Sequence, residues 1–387
     1  MIVYLDNSAT TKQYEKVTSK MLHCMENEYG NPSSLHSMGL AAENVLKEAR
    51  KSVGSATGFK TDEVFFTSGG TEAANLAVFG AANAGKRRGK KIITTAVEHP
   101  AVAESGKELS NMGFEVVHIK VDDKCRLNMD ELRANIDENT ILISVMHVNN
   151  EVGTIFPLEK ISALKGGVIL HSDAVQSLGK IPLESIGADI LTVSAHKIHG
   201  PKGAGAIAVR KGVNMGAMLF GGGQEKNLRP GTENVPAIAG FGEAAGIAVS
   251  NLRDRAEKMA AARKYLLGGI QTEITDVKIN SLMETGNNGE SGLCSPSILN
   301  VSFHGTRAEV ILHGLESENI YVSTGAACSS NKKGKSRTLT AMGLADKEID
   351  SALRFSFSEF NTIEEMDHVL FKLKEQVNRF RKLGSFR

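Results

Sequence analysis

The chain of 387 residues contains no tryptophan, and aromatic residues of all kinds make up only 5% of it. Its cysteines are few and far apart, with no Cys-x-x-Cys pair, which argues against both a disulfide framework and a zinc site. They are Cys24, Cys125, Cys294 and Cys328. Unpaired cysteines of this kind are typical of reduced thiols, and we expect no metal site.

Net charge is almost absent as well, because 45 basic side chains face 44 acidic ones. A chain balanced in this way is a poor candidate for direct binding to nucleic acid or to a membrane surface. No apolar run approaches the ~20 residues that a membrane span requires. Asp6 lies where a signal peptide needs an apolar stretch. We therefore expect a cytoplasmic protein.

Hydrophobic residues make up 41% of the chain, which is enough for two cores. Up to about residue 249, apolar runs typical of strands alternate with helical patterns, which predicts an α/β fold with a mostly parallel central sheet. The predicted strands are 64–67, 91–95, 115–119, 141–148, 168–172, 190–194 and 204–209, and the predicted helices include 35–56 and 71–82. Beyond residue 249 a helix at 251–275 leads into a smaller α+β domain, with strands at 297–303, 321–323 and 353–357 and helices at 307–318 and after 361.

Lys197 lies between His196 and His199, where the predicted strand 190–194 ends and a Gly-Pro turn follows. Open α/β sheets place their chemistry at such strand ends. A lysine that bonds covalently to an aldehyde needs this kind of setting, since its amine must be partly desolvated and close to other cations. The alternative is a solvated loop lysine.

Asp173 follows another predicted strand, and Gln176 comes three residues later. A carboxylate in this position can pair with the protonated nitrogen of a pyridine ring, which turns the ring into an electron sink. Gln176 can donate to the phenolic oxygen of the same ring. The alternative for Asp173 is a helix N-cap.

Two further strand ends carry polar groups. The strand at 64–67 runs into Gly69 and Gly70, and a helix begins near Thr71, which makes an anion-binding N-terminus. Neither a Walker motif nor a dinucleotide fingerprint is present, so the phosphate of a small cofactor fits best, with an ordinary tight turn as the alternative. His99 follows the strand at 91–95 and can stack on a cofactor and pass protons, although a lone loop histidine often has no role. Together the four strand ends indicate pyridoxal phosphate.

Motifs along nearly the whole chain resemble the class-V aminotransferase family of pyridoxal-phosphate enzymes, and within it the cysteine desulfurases of the NifS/IscS type. The matching segments are 5–11, 30–34 with His36, 148–153, 173–177, 194–203, 221–225, 229–234, 323–330 and 354–356. Cys328 is the feature that separates this branch from ordinary transaminases. The resemblance implies the PLP-dependent transferase (aspartate aminotransferase-like) fold, with a large domain at 15–250 and a small domain formed by 1–14 and 251–387.

The resemblance also implies roles for individual residues. Lys197 holds pyridoxal 5'-phosphate and moves protons together with His99, and Cys328 is the nucleophile. The residues that bind the cofactor are Gly70, Thr71, His99, Asp173, Gln176, Ser194, His196, Lys197 and, from the second subunit of a homodimer, Thr232. Asn149 and Arg354 bind the substrate carboxylate, although Arg354 is also compatible with a surface position on its strand.

The reaction implied is the conversion of L-cysteine to L-alanine, with the sulfur left as a persulfide on Cys328. Lys332 and Lys333 favour the thiolate of Cys328, and the polar, basic segment 329–337 is expected to be mobile. The sulfur acceptor is then a protein such as an iron–sulfur scaffold or a tRNA thiolation enzyme. The alternatives are a selenocysteine lyase, another β-lyase or aminotransferase on the same scaffold, and a non-catalytic scaffold paralogue.

Overall fold

The computed structural model of the protein describes residues 1–184, 186–286, 292–324 and 335–384. Its strands are β1 (Val3–Tyr4), β2 (Val64–Thr67), β3 (Lys91–Thr95), β4 (Glu115–Ile119), β5 (Thr140–Ser144), β6 (Ile169–Asp173), β7 (Ile190–Ser194), β8 (Gly205–Val209), β9 (Val277–Ile279), β10 (Ile298–Phe303), β11 (Ile320–Tyr321), β12 (Ser323–Thr324) and β13 (Ala352–Ser356). Its helices are α1 (Glu15–Asn27), α2 (Ser37–Thr57), α3 (Gly70–Gly85), α4 (Pro100–Asn111), α5 (Met129–Asn135), α6 (Leu158–Leu164), α7 (Val235–Ser250), α8 (Leu252–Glu273), α9 (Ala308–Glu316), α10 (Arg337–Ala341), α11 (Asp346–Asp350) and α12 (Ile363–Lys382).

The central sheet has seven strands in the order β2-β8-β7-β6-β5-β3-β4. Strand β8 runs antiparallel to both of its neighbours, and the other neighbouring pairs are parallel. The prediction of a mostly parallel sheet is therefore confirmed. Because parallel strands end on the same side of a sheet, this topology brings the ends of β3, β6 and β7 together.

Both faces of the central sheet are covered, as parallel sheets require. Neighbouring residues of one strand point to opposite faces, so Ile92 and Ile93 belong to two separate apolar clusters. One cluster lies between the sheet and α1, α2 and α7, and the other lies between the sheet and α3 and α4. Side chains from both faces are almost completely buried, which fixes the strands that carry the polar residues at their ends.

The sequence predicted four of the seven central strands to the residue, namely β2, β3, β4 and β7. The predicted strand at 141–148 was too long, because the chain leaves the sheet after Ser144, although the amide of His147 still donates to the carbonyl of Asp173 at 2.9 Å. The predicted single strand at 321–323 was wrong. It is two short strands, β11 and β12, which pair with β1 and β13 respectively.

A third apolar cluster lies around a four-stranded antiparallel sheet, whose strand order is β12-β13-β10-β9. Helices α8, α9 and α12 contribute to its core. The N-terminal residues Val3 and Leu5 belong to the same core, and Val3 pairs with Ile320 in the two-stranded sheet of β1 and β11. These contacts agree with the assignment of the N-terminus to a small domain, while the limits at residues 14 and 250 stay a prediction.

In the described part of the chain, no single helix is long and apolar enough to cross a membrane. Helices α7 and α8 pass such a test only as a pair, and they are bent by 76° at the break between them. Most residues of α7 are buried against the rest of the protein, mainly α1 and α2.

Gly205 brings β8 close to the turn that follows β2. It pairs with Thr67 on one side and with Ser194 on the other. A Cβ atom added to Gly205 would lie only 2.6 Å from the carbonyl carbon of Gly69 and 2.7 Å from its Cα. Backbone atoms cannot move aside as a flexible side chain can, so only glycine lets this turn sit against the sheet.

We expect Gly205→Ala to destabilise the protein by about 1–3 kcal/mol, because the added methyl group overpacks against backbone. Urea denaturation measures the loss. The matched control is Gly246→Ala in α7, where no atom lies within 4 Å of the added Cβ and alanine should stabilise the helix by up to about 1 kcal/mol. Equal effects of the two substitutions would contradict the close approach of Gly205 to Gly69.

Candidate active site

Four segments meet at the carboxyl edge of the central sheet. They are the turn after β2, His99 after β3, Asp173 at the end of β6, and the segment 194–197 after β7. A cavity of about 420 Å³ opens here, lined by Thr10, Gly70, Thr71, Ser194 and His196, among others. Asp173 and Lys197 lie close enough to His99 for their charges to act on it.

The cavity has the features of a phosphate site. Helix α3 begins at Gly70 and presents its free amides there. The hydroxyl of Ser194 is buried and has no hydrogen-bond partner among the described residues. A Cβ on Gly70 would lie 3.1 Å from Val175 and 3.5 Å from Ser194, so glycine keeps this space open. An orphaned hydroxyl beside a helix N-terminus fits an anionic group such as a phosphate.

His196 contributes to the same wall of the cavity. Its Nδ1 lies 3.1 Å from the hydroxyl of Thr10. Burial, together with the positive charges of Lys197, Lys202 and Lys180, lowers the pKa of His196 to about 4. The ring is therefore neutral at physiological pH and is suited to donate a hydrogen bond to a phosphate oxygen rather than to supply charge.

Lys197 is half-buried and bound to the N-terminal segment, so the alternative of a solvated loop lysine is wrong. Its Nζ donates to the backbone carbonyls of Ser8, at 2.5 Å, and Ala9, at 2.7 Å. The segment also binds on either side of the lysine, where the amide of Thr11 donates to the carbonyl of His196 and the amide of Tyr14 to that of His199.

Asp173 and His99 influence each other's protonation. Burial raises the pKa of Asp173, while His99 and Lys197 favour its charged form. Burial also lowers the pKa of His99, which Asp173 partly offsets. Asp173 accepts a hydrogen bond from the amide of Val175 at 2.9 Å, so one oxygen supports the turn and the other is left for a ligand. No helix begins at Asp173 among the described residues, so the alternative of a helix N-cap is wrong.

His99 is itself the N-cap of α4. Its Nδ1 accepts a hydrogen bond from the amide of Ala101 at 3.2 Å. The neutral ring therefore carries its proton on Nε2. This arrangement leaves Nε2 as the atom of His99 that can exchange protons in the site.

Arg354 is buried, with only 3% of its surface exposed, so the alternative of a surface strand arginine is wrong. Its Nη1 donates to the carbonyl of Asn150 at 2.9 Å, and its Nη2 donates to Asp6 at 2.8 Å. Its Nε is buried and has no hydrogen-bond partner among the described residues. Nε is therefore the donor of Arg354 that the described residues leave for a carboxylate.

Asn149 is completely buried, and its side chain holds the turn that follows it. Its Oδ1 accepts hydrogen bonds from the amides of Glu151 and Val152, at 2.9 and 3.0 Å. Its Nδ2 lies 3.3–3.4 Å from the carbonyl of Val97 and the hydroxyl of Thr338. Its direct contact with a substrate carboxylate stays a prediction.

Thr232 lies apart from this group in the described subunit. Thr232 is exposed, in a segment that Arg229 ties to Glu72 near the start of α3 through a hydrogen bond of 2.7 Å. Cys328, with Lys332 and Lys333, lies outside the described residues. The roles of these residues stay predictions.

Some residues of the site were missed by the sequence analysis. The Ser8 and Ala9 carbonyls are backbone atoms, which carry no sequence signal. Lys180 is buried, and its Nζ donates to Oε1 of Gln176 at 2.9 Å. Its spacing of four residues from Gln176 is too common a pattern to predict this contact. Glu98 gave no signal in the sequence, because glutamate is ordinarily exposed to solvent.

Comparison with known proteins decides the family. The model of the family described as "Aminotransferase class-V" matches residues 3–369. The chain belongs to the class-V aminotransferase family.

Relatives within this family are similar over their whole length. A protein named cysteine desulfurase IscS from Dictyoglomus turgidum is 38% identical over 100% of this chain and 97% of its own. Another of the same name from Methanosarcina thermophila is 38% identical over 99% of this chain and 93% of its own. The solved structure of a NifS-like protein superimposes with a TM-score of 0.90 at 38% identity, covering 98% of this chain and all of that one.

In this class-V aminotransferase chain, Glu98 joins the ends of β3 and β5 directly behind His99. Its Oε1 accepts hydrogen bonds from the hydroxyl of Thr95, at 2.8 Å, and the amide of Met146, at 3.0 Å. Its Oε2 is buried without a hydrogen-bond partner among the described residues. Burial, reinforced by Asp173, raises the pKa of Glu98 to about 8, so the group is a neutral acid at pH 7.

A carboxyl group whose pKa is higher in the folded protein favours folding below its unfolded pKa, near 4.5, and this contribution is lost as the pH rises to about 8. Glutamine is neutral throughout. We therefore expect Glu98→Gln to gain stability relative to the natural protein between pH 4.5 and 8, by on the order of 4 kcal/mol. Denaturation curves at pH 5 and pH 8 measure the difference, and a constant difference would show that Glu98 is ionised.

Proposed function

We propose that the protein is a pyridoxal-phosphate-dependent cysteine desulfurase, which converts L-cysteine to L-alanine and leaves the sulfur as a persulfide on Cys328. The observation that carries the proposal is the position of Lys197, with His99 and Asp173 beside it and an anion cavity next to it. Full-length similarity to proteins named cysteine desulfurase supports the same reaction.

The residues of the cavity fit the cofactor. The amides at the start of α3, Thr71, Ser194 and His196 would hold its phosphate, and Asp173 would hold the ring nitrogen. Gln176 has an N–H left for a ring oxygen, because one N–H donates to Ser8. When bound, the cofactor supplies an electron sink for the α-carbon of an amino acid.

The protein's own groups position the substrate and move its protons. Arg354, whose Nε is left unpartnered by the described residues, would bind the carboxylate of cysteine. The amine of Lys197 and the Nε2 atom of His99 are the groups that hold and return protons. The thiolate of Cys328 attacks the substrate sulfur, so that a sulfur–sulfur bond forms while the carbon–sulfur bond breaks, and the carbon receives a proton to give alanine.

The three cysteines that the structure describes are poor alternatives to Cys328 as the nucleophile. Cys24, Cys125 and Cys294 are all free and buried. Burial raises the pKa of Cys24 to about 12, and it raises the pKa of the other two thiols as well. A thiol that keeps its proton is a weak nucleophile.

The wider setting follows from the same proposal. The protein acts as a homodimer in the cytoplasm, and the exposed Thr232 of one subunit reaches the phosphate of the other. Arg229 would anchor that segment, since it pairs with Glu72. The persulfide passes to an acceptor protein, such as an iron–sulfur scaffold or a tRNA thiolation enzyme.

We expect Lys197→Ala to lower turnover by at least about a thousandfold while the protein still folds, because the amine both anchors the cofactor and moves protons. Borohydride reduction followed by peptide mapping should attach the cofactor to Lys197 in the natural protein and to no lysine in the variant. The matched control is Lys202→Ala, which should keep the covalent attachment. Attachment at Lys202 would refute the assignment.

The Cys328→Ser variant tests the proposed function directly. We expect it to bind the cofactor and to change its absorbance when cysteine is added, but to release no alanine, since a serine hydroxyl is too weak an acid to accept the sulfur. The assay measures alanine and sulfide together, with a reductant present. Near-normal alanine production would move the protein to the β-lyases or aminotransferases of the same fold.

Mass spectrometry of the natural protein after addition of cysteine provides the complementary measurement. The added sulfur should lie on the peptide that carries Cys328. Sulfur on the peptide of Cys24, Cys125 or Cys294 would show instead that one of the buried thiols becomes accessible during turnover.

A further inference from the structure

Lys180 is a buried lysine without a carboxylate partner. Only 3% of its surface is exposed, and no ion pair involves it in the described part of the chain. The hydrogen bond that its Nζ makes is to a neutral group, the Oε1 atom of Gln176, at 2.9 Å. Burial of a charged amine without a counterion lowers the stability of the folded protein. A lysine kept in such a position next to an active site is therefore a candidate for a functional role.

A chain of hydrogen bonds joins Lys180 to Lys197. Lys180 donates to Oε1 of Gln176, and Nε2 of Gln176 donates to the carbonyl of Ser8 at 2.9 Å. The same carbonyl accepts from Nζ of Lys197 at 2.5 Å. The amines of Lys180 and Lys197 are therefore connected through the Gln176 amide and the Ser8 carbonyl.

This path fixes the orientation of the Gln176 amide. An ammonium group only donates, so it must face Oε1, and a carbonyl only accepts, so it must face Nε2. Both constraints agree, and together they leave the second N–H of Gln176 as a donor toward the cavity. Without Lys180 only Ser8 would oppose a reversal of the amide.

The charges around Lys180 are mostly positive. Lys197, Arg255 and Arg354 disfavour its charged form, while Glu359 favours it. Burial is the largest cause, and it lowers the pKa of Lys180 to about 7. Glu359 is already shared with Arg255, His199 and Tyr14, so it offers little compensation.

The repulsion between two positive charges is mutual. A proton on Lys180 therefore makes a proton on the nitrogen of Lys197 less favourable by the same amount. Asp173 acts on Lys197 in the opposite sense, and His99 is kept mainly neutral by its lowered pKa. The balance of charge at Lys197 thus depends on a cation that lies outside the cavity.

We propose that Lys180 is a positioning residue of the active site, which fixes Gln176 as a donor toward the cofactor and disfavours a second positive charge on Lys197. This inference rests on the proposed function, because it assumes that pyridoxal phosphate binds in the cavity. It assigns to Lys180 a role in preparing the site before any substrate arrives.

Three substitutions separate the two effects in the cofactor-loaded protein. Lys180→Met removes both the charge and the hydrogen-bond donor. Lys180→Gln keeps an N–H donor without the charge, and Lys180→Arg keeps both. Lys160→Met is the control, because Lys160 is exposed on α6 and does not line the cavity.

The first measurement is a pH titration of the absorbance band of the bound cofactor, taken without cysteine. The midpoint reports the proton on the nitrogen of Lys197. We expect the midpoint to rise by about one pH unit in Lys180→Met and Lys180→Gln, and by less than about 0.3 unit in Lys180→Arg and in the control. The direction follows because removal of a cation makes the protonated form more favourable.

The second measurement is the position of the absorbance maximum at a fixed pH far from the midpoint. It should shift in Lys180→Met, where Gln176 loses its orientation, and should return toward the natural value in Lys180→Gln. Should Lys180→Met fail to fold, the comparison of Lys180→Gln with Lys180→Arg still isolates the charge.

Equal midpoints in all the proteins, together with an unchanged absorbance maximum, would overturn the inference and leave Lys180 as a packing residue. That result is distinct from a failure of the proposed function. A natural protein that shows no cofactor band, or that makes no alanine from cysteine, would refute the proposed function. A normal band that does not respond to the substitutions would refute only the role of Lys180.

Discussion

The grip of the N-terminal segment on Lys197 is the constraint on which the site depends. The carbonyls of Ser8 and Ala9 bind the amine. The same segment is bound to the small antiparallel sheet, since the Ser8 amide and the Asn7 side chain both donate to Ser356. Ser356 lies two residues from Arg354 on β13, so the lysine and the arginine are held relative to each other through residues 6–9.

Burial shifts several titratable groups of the site toward their neutral forms. Glu98 is a neutral acid and His196 a neutral base, and the pKa of Lys180 is lowered to about 7. Burial raises the pKa of Asp173 and lowers the pKa of His99, because both groups lose water around their charged forms. Shifted pKa values of this kind cluster at functional sites.

Much of the fold could be predicted from the sequence, because buried parallel strands are short apolar runs with polar residues at their ends. The strands β2, β3, β4 and β7 are of this kind. The helices at 15–27, 100–111 and 235–250 were not predicted, since α7 is apolar almost all round and α1 has few buried residues. The split of 320–324 into two strands depends on distant partners, which no local pattern can reveal.

The site could be predicted wherever a side chain acts at a strand end, as for Lys197, Asp173 and His99. It could not be predicted where the partner is a backbone carbonyl, or where a polar residue is neutral through burial, as for Glu98. The hydrogen bonds of Arg354 to Asp6 and Asn150 could not be predicted either, because these residues are distant in sequence and meet only in the folded protein.

The pairing of β1 with β11 has a consequence for the order of events during synthesis. Val3 is made more than 300 residues before its partner Ile320. The central sheet needs only residues up to 209, so it can assemble well before this pairing exists. Strand β1 therefore lacks its partner until well after the central sheet has been made, and the segment that binds Lys197 gains its link to Ser356 later still.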